Sequence, residues 1–235
     1  MDENFEHFVE IIKKSNNIVF FGGAGTSTNS GIKDFRGKDG IYNTKFHGYN
    51  PEEILHIDFF MNNRKIFNQF LQEKMNFKNY KPNKGHFALK KLEEMGKLKA
   101  IITQNIDELH QKAGSKNVVE LHGTISHFIC LSCGEKKDEL FSCECGGIVR
   151  PPVTLYGEML NEDVVNKAIK YIENAETLIV AGTSLVVYPA AYYLNYFKGK
   201  YLIIVNESET TYDQRATVVL RGDFEKTFDD LAKYI

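Results

Sequence analysis

The chain has 235 residues, of which 43% are hydrophobic and 26% are charged, with 29 lysines and arginines against 31 aspartates and glutamates. This near-neutral balance excludes a strongly basic surface, so neither nucleic acid nor membrane is an expected partner. No apolar run approaches the ~20 residues of a membrane span, and the first residues carry no secretory signal pattern. We therefore expect a cytoplasmic protein with one large domain and an insertion, or with two small domains.

Helical patterns and apolar runs alternate along the chain. Residues 5–12 have apolar side chains at helical spacing, and they precede a continuous apolar run at 18–21. Further apolar runs that stop at polar or glycine residues predict buried strands at 100–102, 118–121, 178–181, 202–205 and 216–220. Helical patterns predict helices at 86–95, 108–112, 162–172, 189–197 and 224–234. This order indicates an α/β fold with a parallel sheet, whose ligands bind at the carboxyl ends of the strands.

Two segments interrupt the alternation. Residues 38–80 are rich in aromatic residues with helical patterning, and residues 124–150 contain all the cysteines. We predict that residues 1–37, 81–123 and 151–235 form the sheet domain. The two interrupting segments would then form a smaller lobe, with a helical module from 38–80 and a metal-binding module from 124–150.

The four cysteines lie within sixteen residues of one another, at Cys130, Cys133, Cys143 and Cys145. A reducing cytosol keeps such thiols free, which favours metal binding over disulfides. Four thiolates satisfy a tetrahedral zinc ion and leave no open position, so we predict one structural zinc ion. Disulfides and a redox pair are the alternatives, although no environment that acidifies a thiol is visible in the sequence.

Polar clusters follow the predicted strands, and we expect five of them to converge at one edge of the sheet, three of which suggest specific chemistry. Residues 22–27 form a glycine-rich loop whose backbone N–H groups could approach a pyrophosphate, or that could be a turn without a ligand. Residues 103–114 begin with amide and carboxylate side chains that could bind ribose hydroxyls or a carboxamide, although Asp107 could equally cap the next helix. His122 suits general-base catalysis, but a lone histidine is more often structural.

These motifs, in this order, closely resemble the sirtuin (Sir2) family of NAD-dependent protein deacylases, in particular its compact bacterial members. The resemblance covers residues 18–223 and rests on the glycine loop, the four cysteines and the motifs Asp34-Phe35-Arg36, 103–107, Leu121-His122-Gly123, Tyr156-Gly157-Glu158, Gly182-Thr183-Ser184 and Val205-Asn206. It implies a Rossmann-like sheet domain and a smaller lobe made of a helical module and a zinc-binding module. Tyr156 departs from the family pattern, in which phenylalanine is common.

The resemblance implies an NAD-dependent protein-lysine deacetylase or deacylase, which transfers the acyl group to ADP-ribose and releases nicotinamide. His122 would be the general base on the ribose hydroxyl, and Asn105 would order the ribose and a nearby water. Acyl-lysine peptides would bind to a monomer as an added strand near Gly157, Glu158 and Val186. The implied NAD contacts are Ala24, Thr28, Phe35, Arg36, Gln104, Ile106, Asp107, His122, Thr183, Ser184, Asn206 and Asp223.

Four other functions remain open from the sequence. The same NAD site could support mono-ADP-ribosyl transfer or NAD hydrolysis, although the presence of both Asn105 and His122 favours deacylation. A zinc ribbon that binds nucleic acid is disfavoured by the acidic residues around the cysteines. A hydride-transferring dehydrogenase is disfavoured because Gly22, Gly23 and Gly25 do not have the G-x-G-x-x-G spacing.

Overall fold

The computed structural model describes residues 2–37, 39–138 and 143–235. Met1, Lys38 and residues 139–142, which belong to the predicted domain ranges, lie outside the described residues. The strands of the described part are, in chain order, β1 (Ile18–Gly22), β2 (Leu98–Thr103), β3 (Val118–Glu120), β4 (Phe128–Cys130), β5 (Lys136–Lys137), β6 (Val149–Arg150), β7 (Thr177–Ala181), β8 (Tyr201–Val205) and β9 (Val218–Leu220).

Six of these strands form a parallel sheet in the order β3-β2-β1-β7-β8-β9. Phe20 of β1 pairs with Ile101 of β2 on one side and with Ile179 of β7 on the other. Every residue of β1 and β7 is buried, because helices cover both faces of the sheet. The predicted α/β class is confirmed, and the chain reverses its direction of progress across the sheet between β1 and β7. In such sheets the crevice at that reversal binds the ligand.

The helices are α1 (Glu3–Lys14), α2 (Pro51–Ile54), α3 (Ile57–Asn62), α4 (Arg64–Lys74), α5 (Lys84–Glu94), α6 (Leu109–Lys112), α7 (Glu162–Asn174) and α8 (Phe224–Leu231). Helices α1, α5 and α8 cover one face of the sheet, where Phe8, Leu89 and Phe228 share a core with Phe20. Helix α7 and a 3₁₀ helix at Ala190–Tyr196 cover the other face. None of the described helices is long and apolar enough to cross a membrane.

Several predicted bounds differ from the structure, and three of the differences have a clear physical reason. Residues 189–197 form the 3₁₀ helix, not an α-helix, and its buried residues Ala190, Ala191, Tyr193 and Leu194 repeat every three positions, as 3₁₀ geometry requires. The strand predicted at 216–220 begins at Val218, because Ala216 caps the preceding 3₁₀ turn. The helix predicted at 108 begins at Leu109, because Glu108 has a left-handed backbone with φ of 60°.

The segments outside the parallel sheet contain their own small cores. Helices α2, α3 and α4 pack around Phe60, Phe67 and Phe70, and this cluster also contains Val153 and Leu155. Strand β4 pairs in antiparallel fashion with β5 and β6, which makes a small second sheet beside the cysteines. The structure thus contains a helical element and a four-cysteine element beside the parallel sheet, and the exact domain ranges remain predictions.

Candidate active site

A cavity of about 570 Å³ lies at the carboxyl ends of the parallel strands. The loops that follow β1, β2, β3, β7 and β8 all contribute to its wall, as the strand-end clusters predicted. Of the predicted site residues, the structure brings together in this cavity Ala24, Thr28, Phe35, Arg36, Gln104, Asn105, Ile106, His122, Gly157, Glu158, Thr183, Ser184, Asn206 and Asp223. Asp107 and Val186 are not part of the lining, although Val187 is.

The glycine loop packs directly against the loop that follows β7. The N–H group of Gly25 donates to the carbonyl oxygen of Gly182 at 2.8 Å. A Cβ atom on Gly25 would lie 2.8 Å from Cα of Gly182, and one on Gly23 would lie 2.8 Å from Cβ of Thr183. The glycines are therefore needed for this close approach of two backbones. The approach brings the two strand-end loops to the same side of the cavity.

Asn105 is buried and its side-chain nitrogen is bound to the glycine loop. Nδ2 donates to the carbonyl oxygen of Gly23 at 3.1 Å, to Oγ1 of Thr26 at 3.0 Å and to Oγ of Ser27 at 3.1 Å. Because this nitrogen is committed to the protein, the amide oxygen Oδ1 is the group that can bind a ligand. The network also fixes the orientation of the side chain.

Asp107 lies below the cavity surface and stabilises the same loop. Its carboxylate accepts a hydrogen bond of 2.7 Å from the hydroxyl of Ser27 and one of 2.9 Å from the N–H group of Leu109. Burial raises the pKa of Asp107, and the hydrogen bonds from Leu109 and Ser27 oppose that rise. Asp107 therefore contacts the first turn of α6, as one of its two predicted roles requires, and its contact with NAD stays a prediction.

His122 is held in one orientation by the backbone. Its Nδ1 atom lies 2.9 Å from the carbonyl oxygen of Gln104, so Nδ1–H donates and Nε2 carries the lone pair. Burial lowers the pKa of His122, and the hydrogen bond to Gln104 partly opposes this. The imidazole is therefore neutral at pH 7 and able to accept a proton.

Aromatic and charged residues line a further part of the cavity. The guanidinium of Arg36 forms an ion pair of 2.9 Å with Glu52 and donates to the hydroxyl of Tyr156 at 3.4 Å. The hydroxyls of Tyr156 and Tyr42 lie 3.0 Å apart, and the ring of Phe35 packs on Tyr42. The hydroxyl of Tyr156, which the usual phenylalanine would lack, thus belongs to a polar cluster on this wall.

The four cysteines fit a zinc ion. Their sulfur atoms all lie within 4.8 Å of one another, with Cys130 and Cys145 at 3.4 Å and Cys133 and Cys143 at 3.6 Å. Four sulfurs at ~2.3 Å around a tetrahedral zinc ion lie about 3.8 Å apart. Tight turns present each pair, since Gly134 N–H donates to the carbonyl oxygen of Cys130, as Gly146 does to that of Cys143. None of these cysteines lines the cavity, which fits a structural metal.

Two important side chains were missed in the sequence. Ser27 joins Asn105 to Asp107, and its place at the end of a glycine loop is a signal that could have found it. Arg150 is buried beside the cavity wall, where it binds Glu158. Nothing in the local sequence indicates that partner.

Comparisons with known proteins point to one family. The model of the Sir2 family matches residues 23–189. The NAD-dependent protein deacetylase of Fusobacterium nucleatum subsp. nucleatum is 58% identical over 233 residues, which cover 99% of this chain and 92% of the relative. That of Clostridium tetani is 52% identical over 222 residues, which cover 90% of each chain.

Solved structures give the same result. The chain is similar to a Sir2 enzyme in the complex Sir2-p53 peptide-NAD+, with a TM-score of 0.87, 36% identity and 97% of each chain covered. It is also similar to Sir2 bound to acetylated peptide, with a TM-score of 0.88, 35% identity and 97% of each chain covered.

Proposed function

Because the chain belongs to the Sir2 family, we propose that it is an NAD-dependent protein-lysine deacetylase. The enzyme transfers the acyl group from a lysine side chain to ADP-ribose and releases nicotinamide and free lysine. The observation that carries the proposal is the meeting of Asn105 and a neutral, oriented His122 in one cavity at the sheet edge. The names of the relatives, which are 50% or more identical in several species, support deacetylation over mono-ADP-ribosyl transfer.

NAD binds along the ends of the parallel strands. Asn206 and Asp223 face its adenosine half, and Thr183 and Ser184 face the phosphates together with the glycine loop. Gln104 and the amide oxygen of Asn105 face the nicotinamide ribose, while the backbone of Ile106 and the carboxylate of Asp107 hold the carboxamide. The closeness of the glycine loop to residues 182–184 supports this arrangement. In such a sheet the nucleotide lies where the strand order reverses.

Chemistry takes place between Phe35 and His122. The acyl-lysine carbonyl oxygen bonds to the anomeric carbon of the nicotinamide ribose as nicotinamide leaves with the electrons of the broken bond. Nε2 of His122 then accepts the proton of a ribose hydroxyl, whose oxygen bonds to the acyl carbon. The lowered pKa of His122 keeps Nε2 unprotonated for this step. The carbon–nitrogen bond breaks and the lysine amine leaves with a proton. Water then adds to the acyl carbon, and the bond from that carbon to the original acyl oxygen breaks, which leaves a hydroxyl on the anomeric carbon and the acyl group on the ribose oxygen. The ring of Phe35 covers the nicotinamide site and shields the anomeric carbon from water.

Acyl-lysine peptides bind beside residues 157–159 and 186–188. Gly157, Glu158 and Tyr188 line the cavity, so this surface continues from the reacting centre. Met159 is 92% exposed and Val186 is 57% exposed, which provides apolar contact area on both sides of the peptide. Main-chain recognition would accept many target sequences. A monomeric state and a cytoplasmic location remain predictions from the sequence.

The test is to incubate the purified protein with NAD and an acetyl-lysine peptide and to follow the products by mass spectrometry. Deacetylated peptide, nicotinamide and acetyl-ADP-ribose should form in equal amounts. Nicotinamide release with the peptide still acetylated would contradict deacetylation and favour ADP-ribosyl transfer or NAD hydrolysis.

A further inference from the structure

The buried Arg150 forms an ion pair with the partly buried Glu158, which lines the active-site cavity. Nη1 and Nη2 of Arg150 donate to the two carboxylate oxygens of Glu158 at 2.7 and 2.8 Å. Nε donates to the carbonyl oxygen of Pro151, and Nη2 also donates to that of Val153. Only 7% of the Arg150 side chain is exposed. A planar guanidinium that binds both oxygens fixes direction as well as distance, which a lysine ammonium cannot do.

The carboxylate of Glu158 closes a tight turn at residues 155–158. It accepts a hydrogen bond of 2.8 Å from the N–H group of Leu155, while the N–H group of Glu158 donates to the carbonyl oxygen of Leu155 at 3.0 Å. Gly157 has φ of 87°, as the turn requires. All residues from 153 to 158 line the cavity. The ion pair therefore fixes residues 153–158, which form one part of the cavity wall.

Backbone hydrogen bonds join residues 153–158 to the loop that contains His122 and to the helical segment. The N–H group of Thr154 donates to the carbonyl oxygen of His122 at 2.9 Å. The N–H group of Tyr156 donates to Leu55, and its carbonyl oxygen accepts from Ile57. A shift of residues 153–158 would therefore change the space between His122 and Tyr156, both of which line the cavity.

Arg150 itself belongs to the small sheet beside the cysteines. In that sheet Arg150 pairs with Ile129, and the preceding Val149 pairs with Cys130, which is one of the four thiols of the zinc site. The guanidinium also lies 5.3 Å from the ring centre of Phe60 in the helical segment. Arg150 therefore lies at the end of the small sheet beside the cysteines, three positions before the segment 153–158 that lines the cavity.

We propose that Arg150, acting through Glu158, is a positioning residue for acyl-lysine peptides, and that it transmits the fold of the zinc-binding sheet to residues 153–158. This inference rests on the proposed function and deepens it. The hydrogen bonds of the Arg150 and Glu158 side chains, within the described part of the chain, all go to residues 150–158. The strand-end loops proposed to hold ADP-ribose are not among these partners. Loss of the ion pair should therefore weaken the binding of the peptide and leave the binding of ADP-ribose unchanged.

The experiment measures both affinities by isothermal titration calorimetry with an acetyl-lysine peptide and with ADP-ribose. Arg150→Lys keeps the charge but loses the two-pronged contact, and Glu158→Gln keeps the shape but loses the charge. Each variant should bind the peptide about tenfold more weakly or worse, equal to about 1.4 kcal/mol, and should bind ADP-ribose within about twofold of the unchanged protein. Arg64→Lys, at an exposed arginine at the start of α4, is the matched control and should change neither affinity.

A second arm removes zinc with a chelator and repeats both titrations, where peptide affinity should fall and ADP-ribose affinity should stay. Equal loss of both affinities in the variants, or unchanged peptide affinity, would overturn the role of Arg150. Unchanged peptide affinity after zinc removal would overturn the transmission from the zinc-binding sheet. If Arg150→Lys does not fold, the two affinities of Glu158→Gln alone test the role of the ion pair. Failure of the unchanged protein to bind the peptide would instead refute the proposed function, and this inference with it.

Discussion

The hydroxyl of Ser27 donates a hydrogen bond of 2.7 Å to the carboxylate of Asp107. The same oxygen accepts a hydrogen bond of 3.1 Å from Nδ2 of Asn105. One small side chain in the glycine loop therefore joins the two polar residues that the proposed mechanism uses around nicotinamide and its ribose. Since Ser27 is almost fully buried, water cannot replace its hydroxyl without a local rearrangement.

Changing Ser27→Ala should lower kcat/KM for NAD. A hydrogen bond to a buried charged group contributes about 1.5–3 kcal/mol, so we expect a loss of roughly 10- to 100-fold. The measurement is nicotinamide release at varied NAD concentration. Ser30→Ala is the matched control, because the hydroxyl of Ser30, three positions further along the chain, has no hydrogen-bond partner within the described residues. An equal effect of the two changes would contradict the role of Ser27.

His122→Ala should reduce deacetylation by about 10² to 10⁴, which is the usual contribution of a general base. Nicotinamide release should continue, because the proposed bond from the acyl oxygen to the anomeric carbon does not need this proton transfer. Mass spectrometry of both products from one reaction separates the two steps. Full turnover to free lysine in this variant would refute the assigned role.

The pH profile of deacetylation should show its acid limb below the ordinary histidine pKa of ~6.5. His122 acts as a base only when it is neutral, and burial lowers its pKa, so the active form persists to lower pH. The measurement is kcat/KM for the acetyl peptide between pH 5 and 8, each pH being checked for folding. The small residual rate of His122→Ala should not show this limb. A limb above pH 6.5 would show that the imidazole is not shifted as the structure requires.

Zinc removal should destabilise the small sheet. Metal binding to a structural zinc site contributes directly to folding, so dialysis against a strong chelator should lower the Tm, and Cys143→Ser should do the same. Metal content is measured by atomic absorption, with one zinc ion per chain expected in the unchanged protein. Ser132→Ala, an exposed change between two of the cysteines, should retain the metal. A Tm that does not respond to chelation would contradict a structural zinc ion.

The buried histidines His86 and His110 should make the fold sensitive to acid. Their rings lie 4.7 Å apart, and neither nitrogen of His110 has a hydrogen-bond partner within the described residues. Burial lowers the pKa of His86 to about 4 and that of His110 well below its ordinary value. The unfolded chain takes up these protons below about pH 6.5 and the folded chain does not, so stability is full above that pH and falls below it.

For His86 the loss reaches about 3 kcal/mol near pH 4, at about 1.4 kcal/mol for each pKa unit. His110→Phe replaces the unpaired ring with an apolar one, and the Tm should then fall less steeply between pH 6.5 and 4.5. Thermal unfolding by circular dichroism at several pH values gives the slope. His7→Gln, at an exposed position on α1, is the control and should leave the slope unchanged. The same slope in His110→Phe and the unchanged protein would refute this explanation.

The parallel sheet could be predicted from the sequence because each of its strands leaves a visible pattern. The continuous apolar run at 18–21 is not compatible with a sheet that has one face exposed to solvent. The polar residues after each run mark the ends of the strands. The position of Asn105 and His122 at the cavity could be predicted for the same reason, since they follow such strands, whereas their catalytic roles come from the family resemblance and stay predictions. The four cysteines could be recognised as a set of metal ligands from their spacing in the sequence.

Contacts between distant segments could not be predicted in this way. Ser27 and Asp107 are separated by 80 positions, and no pattern in either segment shows that they meet. The sequence around Arg150 does not indicate that its side chain is buried, because its partner Glu158 reaches it only through the turn at 155–158. The sequence pattern of the 3₁₀ helix at Ala190–Tyr196 resembles that of an α-helix because periods of 3.0 and 3.6 residues differ little over two turns.

The position of β1 in the centre of the sheet has a consequence for synthesis of the chain. Phe21 pairs with Val180, roughly 160 positions later, and every residue of β1 is apolar or glycine. At about 5–20 residues per second, a ribosome needs roughly 8 to 30 s to deliver β7 after β1. During that interval one edge of a fully apolar strand is without its partner on the growing polypeptide. The nascent chain therefore passes through a long aggregation-prone stage, and its yield should depend on chaperones that bind before residue 177 emerges.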